Sequence, residues 1–279
     1  PREAHEHEEV AGRGGIRSAA QLAGLGKEEP DVPVAHRDTA AVLWTSGTTG
    51  RHHGLLHSGA RYVRNDPLTA TECRDECELL KKTAPQCIED TGGLFVAVEG
   101  DDENHVADFP NLCSRSGIAV EWLDIKTARD TEPVLSEKLI AAYRVRDASI
   151  DPFRLTLENI GHALELGGKL LLHTRVVGFK TKNGRIQAAI LHNKKTGEQI
   201  RIEADQVVNA AGAWAGEIAA LAGGCIELLY SKGSLLITHH RIARKVINRL
   251  RPSSDADILV PGGTVSILGT TSVKIDSLD

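Results

Sequence analysis

Residues 151–222 constrain the fold more than any other stretch. DPFRLTLENIGHALELGG (151–168) reads as a helix, with Asp151 at its cap, Pro152 at its first position and a Gly-Gly stop. It leads straight into the apolar KLLLHTRVVGFK, and a helix followed closely by an apolar strand is the pattern of a parallel βαβ sheet. Residues 176–205 then alternate as a meander: VVGFKTK, a turn at Asn183-Gly184, RIQAAILHN, a turn at KKTGE, and QIRIEA. The Asn-Gly pair is a strong hairpin signal. DQVVNAAGAWAGEIAALAG closes the unit as strand, glycine turn and helix. The fold class expected is α/β.

The flanking segments fit that class. TAAVLW (39–44) is a short buried strand in prospect. The pattern predicts a helix over 66–83, capped by Thr69 or Thr71 with leucines recurring on one face. It then predicts a strand in GGLFVAV (92–98), a helix over 101–117 and a strand in IAVEWLD. A short helix over 126–133 and the strand LIAAYRV (139–145) follow. Beyond residue 226, ELLYSKGSLLITHH and DILVPGGTVSILGTTS read as strands around a basic helix, 241–250. That helix, within HRIARKVINRLR (240–251), reads as a solvated face rather than a contact for an acidic partner or a membrane.

A chain of 279 residues makes one large or two ordinary domains, and 41 % hydrophobic against 25 % charged residues suits a soluble globular protein. The balance of 33 basic against 38 acidic residues argues against a nucleic-acid binder. No apolar run is long enough to span a bilayer, and PREAHEHEEV has charges where a secretory signal would be apolar. The expected location is cytoplasmic, peripheral at the inner face of the cell membrane at most. Five cysteines, an odd number at loose spacing, do not suggest a disulfide framework. Cys73 and Cys77 could share a metal, but no matching ligand pair is nearby, so no metal is expected. The chain has no methionine and stops within a strand-and-turn pattern, so it reads as a fragment.

Two segments can carry chemistry. In 204–219 an apolar strand runs into Ala-Ala-Gly and a helix begins at once; small residues there let backbone approach a phosphate, or simply pack a tight turn. In RHHGLLHSGARY (51–62), His52, His53 and His57 lack a carboxylate at metal-ligand spacing. His57 could act as a general base, and Arg61 could grip a phosphate or carboxylate in a fork. A capped turn with solvated polar groups is the plain alternative. Gly12, Gly14 and Gly15 do not make a dinucleotide loop, because no apolar strand precedes them.

Taken together, the stretch from Arg51 onward resembles the FAD-dependent glycerol-3-phosphate dehydrogenases of the D-amino-acid-oxidase-like superfamily, above all the catalytic A subunit of the anaerobic type. The residues carrying the resemblance are TGRHHGLLHSGARY (49–62), GGLFVAV (92–98), DPFRLT (151–156), VVNAAGAWAGEIA (207–219), KGSLLI (232–237) and SDADILVPGGTVSILGTTS (254–272). The resemblance implies an incomplete FAD-binding Rossmann-like domain (48–91 and 151–222) with an antiparallel-sheet substrate domain (92–150 and 223–279). It implies that Thr48, Thr49, His53, Gly54 and Leu55 lie along the FAD, with Val176 at the adenine and Ala211 and Gly212 at the phosphate and ribose. His57 would sit near the reacting centre, and Arg61 with Tyr62 would bind the phosphate of sn-glycerol 3-phosphate. The implied reaction is oxidation to dihydroxyacetone phosphate by hydride transfer to the flavin, with electrons passed to a quinone through partner subunits. Another small alcohol or amine as donor, or an inactive remnant, are the other readings.

Residues 15–50 depart from that pattern. DVPVAHRDTAAVLWTSGTTGR resembles the run into the ATP loop of acyl-adenylate-forming enzymes, and no GxGxxG loop precedes position 48. A chimera joined around 47–51, with 1–47 foreign, is therefore the expectation. Without that loop FAD binding should be weak and the chain should purify colourless.

Overall fold

The computed structural model describes residues 40–42, 53–251 and 257–278. Strand β1 (Ala40–Val42) falls inside TAAVLW, and β2 (Leu55–Leu56) inside the histidine-rich stretch. Helix α1 (Pro67–Thr83) is capped by Asp66, whose carboxylate accepts from the Thr69 backbone N–H at 3.0 Å and hydroxyl at 2.7 Å. Aspartate thus takes the role expected of a threonine, because Thr69 already lies inside the first turn and donates. The buried positions of α1 are Ala70 and Cys77; Leu68 and Leu79 are exposed, contrary to the expected leucine face.

Beyond β3 (Ile88–Glu89), β4 (Gly93–Val98) is buried almost throughout, as a central strand must be. Helix α2 (Glu103–Arg115), capped by Asp102, leads to β5 (Glu121–Leu123) and α3 (Ile125–Thr131). Asp124 accepts from the Thr127 N–H at 2.9 Å and starts α3 one residue earlier than expected, which ends β5 at Leu123; α3 stops at Thr131, short of Pro133. Strand β6 (Leu139–Val145) coincides with LIAAYRV, and β7 (Ala148–Ile150) follows after Arg146 and Asp147. In α4 (Pro152–Glu165) Asp151 accepts from the Phe153 and Arg154 N–H groups, both at 3.0 Å, as its sequence predicts.

Strands β8 (Thr174–Lys182), β9 (Arg185–Asn193) and β10 (Gln199–Glu203) form the expected antiparallel meander. Asn183 and Gly184 have φ of 50° and 72°, the left-handed pair that a tight hairpin requires. Because β8 joins this meander, α4 does not lead into a parallel sheet as predicted. One parallel pairing occurs instead between β1 and β11 (Gln206–Val208), with Ala41 opposite Val207. A short turn, Gly212–Trp214, then opens α5 (Ala215–Leu221).

The remaining strands are β12 (Tyr230–Lys232), β13 (Leu236–Ile237), β14 (Val246–Arg249), β15 (Ile258–Gly262), β16 (Val265–Gly269) and β17 (Val273–Ile275). The stretch expected to be a basic helix is therefore the strand β14. Val246, Asn248 and Leu250 are all buried, which is a period of two rather than of a helix. A seven-stranded sheet runs β13-β16-β15-β14-β4-β6-β5, antiparallel except where β14 meets β4. Smaller sheets are β2-β7-β3 and the pair β12-β17.

The seven-stranded sheet has a core on each face. Phe95, Phe109 and Tyr143 pack on one, with ring centroids 5.0 and 5.6 Å apart, joined by Ala60 and Val63. Leu94, Val96 and Ala142 pack on the other against Leu123, Ala128 and Leu135. Burying each large side chain contributes about 1.5–3 kcal/mol. Ala60 and Val63 dock the loop after β2 against the sheet.

Candidate active site

Two glycines shape the histidine-rich stretch. Gly54 and Gly59 have φ of 72° and 88°, and a side chain on Gly59 would collide with the backbone carbonyl of Ala70 in α1. Between them β2 pairs with β7, Leu55 opposite Ser149, and the Ile150 N–H donates to the Gly54 carbonyl at 2.8 Å. His53 Nδ1 accepts from the Leu55 N–H at 3.1 Å, which orients that imidazole.

Past β2 the chain is held by a buried carboxylate. The Ser58 N–H and hydroxyl both donate to Asp147 Oδ1, at 2.7 and 2.8 Å, and Asn248 Nδ2 donates to Oδ2 at 3.0 Å. Asp147 is 1 % exposed. Burial pushes its carboxyl above the usual carboxylate range, against the opposing pull of the Ser58 bonds, the His57 charge and the Asn248 bond.

The loop next folds back on itself. The Tyr62 N–H donates to the Gly59 carbonyl at 2.9 Å, and the Asp66 N–H to the Tyr62 carbonyl at 2.8 Å. The Tyr62 ring thereby meets the His57 imidazole edge-on, with centroids 5.2 Å apart and an angle of 65°. Arg61 and Arg64 from this turn share a cleft with His105 on α2 and with Arg249 and Arg251 at the end of β14.

That cleft is rich in cationic groups with partial compensation. Arg249 bonds both oxygens of Asp101 at 2.7 Å, Arg251 bonds Asp257 at 2.6 Å, and Arg64 is 3.8 Å from Asp108. Burial alone would push the Asp101 carboxyl up. The Val98 N–H and the Arg249 guanidinium outweigh it and hold the group below the usual range. His105 is held below its ordinary range by burial first and by Arg64 second. Its buried Nδ1 has no hydrogen-bond partner among the described residues.

A second group forms on the meander. Val176 is buried in β8 with Ala189 and Leu191, and Ile218 of α5 packs against them. Asn209 ties the turn after β11 at both ends: its Oδ1 accepts from the Ala211 N–H at 3.2 Å, and its Nδ2 donates to the Ala215 carbonyl at 2.9 Å. Ala211 is buried, and Gly212 turns the chain with φ of 58°.

Of the residues singled out in the sequence, the structure brings His53, Gly54, Leu55, His57, Arg61 and Tyr62 together on one loop. Val176, Ala211 and Gly212 belong to the second group, and Thr48 and Thr49 lie outside the described residues. Sequence reasoning missed Asp147, Asn248, His105 and the arginines that join Arg61. One signal was available: Asp147 is a carboxylate between two apolar strand runs, where a polar residue needs a partner.

A family model of FAD dependent oxidoreductases matches residues 11–278. The chain is 46 % identical over 231 residues to the A subunit of the anaerobic glycerol-3-phosphate dehydrogenase of Escherichia coli (strain K12), covering 83 % of this chain and 43 % of that protein. It thus spans less than half the length of that relative. Among solved structures, the L-proline dehydrogenase of P. horikoshii superposes with a TM-score of 0.68 at 21 % identity, over 87 % of this chain and 72 % of that one. The FAD-complexed glycerol-3-phosphate dehydrogenase of Bacillus halodurans gives 0.61 at 20 % identity, over 86 % and 43 %. The family match runs through residues 15–50. The expected chimera with an acyl-adenylate-forming enzyme therefore finds no support: one family covers both sides of the supposed join, and β1 pairs with β11 across it.

Proposed function

The chain belongs to the FAD dependent oxidoreductases, and from that premise we propose that it carries part of the active site of an FAD-dependent sn-glycerol 3-phosphate dehydrogenase. The observation that carries this reading is the placement of Arg61 in a cleft with Arg64, Arg249 and Arg251, while Tyr62, its neighbour in the chain, packs on the His57 ring. Aspartates partner Arg64, Arg249 and Arg251, and Arg61 is the guanidinium assigned to the phosphate ester.

The residues present fit the cofactor in two places. Parallel β1 and β11 end at the same edge, where α/β sheets form nucleotide crevices, and β11 runs into the small residues Ala210, Ala211 and Gly212. Gly54 and Leu55 offer backbone on the loop that bears His57. We assign FAD contacts to Thr48, Thr49, His53, Gly54, Leu55, Val176, Ala211 and Gly212. When bound, the flavin supplies the hydride acceptor that no side chain can provide.

The chain's own residues do the rest. Arg61 and Tyr62 bind the substrate phosphate and so fix C2 in place. The His57 imidazole accepts the C2 hydroxyl proton. Apolar Leu55 and Leu56 back the loop and keep it dry. We assign residues 48–91 and 151–222 to the cofactor domain and 92–150 and 223–279 to the substrate domain. The bacterial relative at 46 % identity is one subunit of its enzyme, so we further propose partner subunits that carry electrons to a quinone, with the assembly peripheral at the inner face of the cell membrane. Among the described residues no helix is long and apolar enough to cross a membrane.

The test is dye reduction by the FAD-supplemented protein with sn-glycerol 3-phosphate, glycerol, glycine and L-proline offered in turn. Turnover of the phosphate ester alone supports the reading. Turnover of an amine without the ester would replace it by an amine-oxidising one.

A further inference from the structure

Asp147 stands between β6 and β7, yet its bonds reach two distant parts of the chain: Ser58 lies 89 residues before it and Asn248 lies 101 after it. All three groups that donate to the carboxylate are neutral: the Ser58 N–H, the Ser58 hydroxyl and the Asn248 amide. Burial opposes ionisation of this carboxyl, and among the described residues only neutral donors hold it, so its anion gains from any cation near. Among the described residues its charge acts on the titratable groups His57 on the loop, Cys77 on α1 and Cys113 on α2. The two thiols are neutral, pushed up by burial to about 11 and about 12. Of these three groups only the imidazole can become positive.

We propose that Asp147 is the positioning residue of this site: it pins the His57–Ser58 turn and lends its negative charge to the His57 imidazole. The inference rests on the reading of His57 as the base. The carboxylate fixes Ser58 through both backbone and hydroxyl, so the residue before it cannot swing away from Tyr62. When a substrate O–H bond breaks and its proton forms an N–H bond on the imidazole, the resulting cation is one residue from the Ser58 that the carboxylate holds, and within reach of its charge. The carboxylate thus acts on the histidine through the neighbouring Ser58 and through its charge.

Asp147→Asn is a clean probe because Asn248 can accommodate it. Asn248 Oδ1 has no partner among the described residues, so a flipped Asn248 amide can accept from the new side chain while Ser58 keeps its acceptor. The experiment is an NMR titration of the His57 imidazole in the 279-residue chain, its signals identified by their loss in His57→Gln. The midpoint should fall by about half a pH unit or more in Asp147→Asn. A smaller fall, or a rise, overturns the proposal. If Asp147→Asn does not fold, the unaltered chain decides: the Asp147 carboxyl carbon and the His57 ring must show a shared inflection, and independent single steps overturn it. The titration needs neither flavin nor substrate, so its failure is separate from failure of the dehydrogenase reading, which the dye assay tests.

Discussion

A methyl group on Gly93 would lie 2.6 Å from the Cβ of Asp147 and 2.8 Å from its Oδ2. The first residue of the central strand therefore has no side chain because the buried carboxylate fills that space. Gly93 cannot retreat, since it is paired with Val145 on one side and Val246 on the other. Gly93→Ala should cost about 1–3 kcal/mol, the usual penalty of overpacking. Gly178→Ala, where nothing lies within 4 Å of the added carbon, should stay within about 0.5 kcal/mol. Urea unfolding of the two variants side by side checks this, and equal losses would refute the steric account.

His105 makes stability depend on pH. Burial holds the native imidazole below the ordinary value, so over the window beneath about 6.5 the unfolded chain takes up a proton that the folded chain refuses. Stability from this group is full above that value and is lost as pH falls through the native one. His105→Leu removes the group and leaves no buried Nδ1 without a partner. The difference in unfolding midpoint between His105→Leu and the unaltered protein should grow in favour of the variant from pH 7 to pH 5. A difference that stays flat would assign the acid sensitivity elsewhere.

What could be read from the sequence was local. Asp151, Pro152 and Gly167-Gly168 bracket their helix by backbone chemistry within a few residues, and Asn183-Gly184 sets its hairpin the same way. Strand β14 was misread because the basic residues of HRIARKVINRLR suggest an exposed helix face. The strand is decided by partners far off in the chain: Ile247 sits opposite Leu94, and Asn248 opposite Phe95. The loop around His57, Arg61 and Tyr62 could be found because its residues are neighbours in sequence. The carboxylate that holds it could not, since its partners are brought together only by folding. Likewise Arg249 and Arg251 reach the Arg61 cleft only because β14 is a strand beside β4.

The cysteines should separate by reactivity. Cys225 is exposed, Cys73 is half-buried, and Cys77, Cys87 and Cys113 are buried. Burial also pushes Cys77 to about 11 and Cys113 to about 12, so neither is a thiolate near neutral pH. Iodoacetamide at neutral pH should modify Cys225 first and Cys73 more slowly. It should reach Cys77 and Cys113 only after denaturant is added. Peptide mass mapping reads the order, and early labelling of Cys113 would contradict the packing of α2 on the sheet.

Arg61 separates phosphate binding from general support of the loop. Its backbone lies in the turn closed between Gly59 and Tyr62, which does not depend on its side chain. Arg61→Lys keeps a charge but loses the planar fork. In the flavin-loaded enzyme that variant should lower kcat/KM for sn-glycerol 3-phosphate by about 10- to 100-fold, the loss expected for a charged hydrogen bond of about 1.5–3 kcal/mol. Oxidation of glycerol, which has no phosphate, should change little, and the unfolding midpoint should hold. Equal losses on both substrates would move Arg61 from the phosphate to the reacting centre. Steady-state rates on the two alcohols therefore decide which end of the substrate this guanidinium meets.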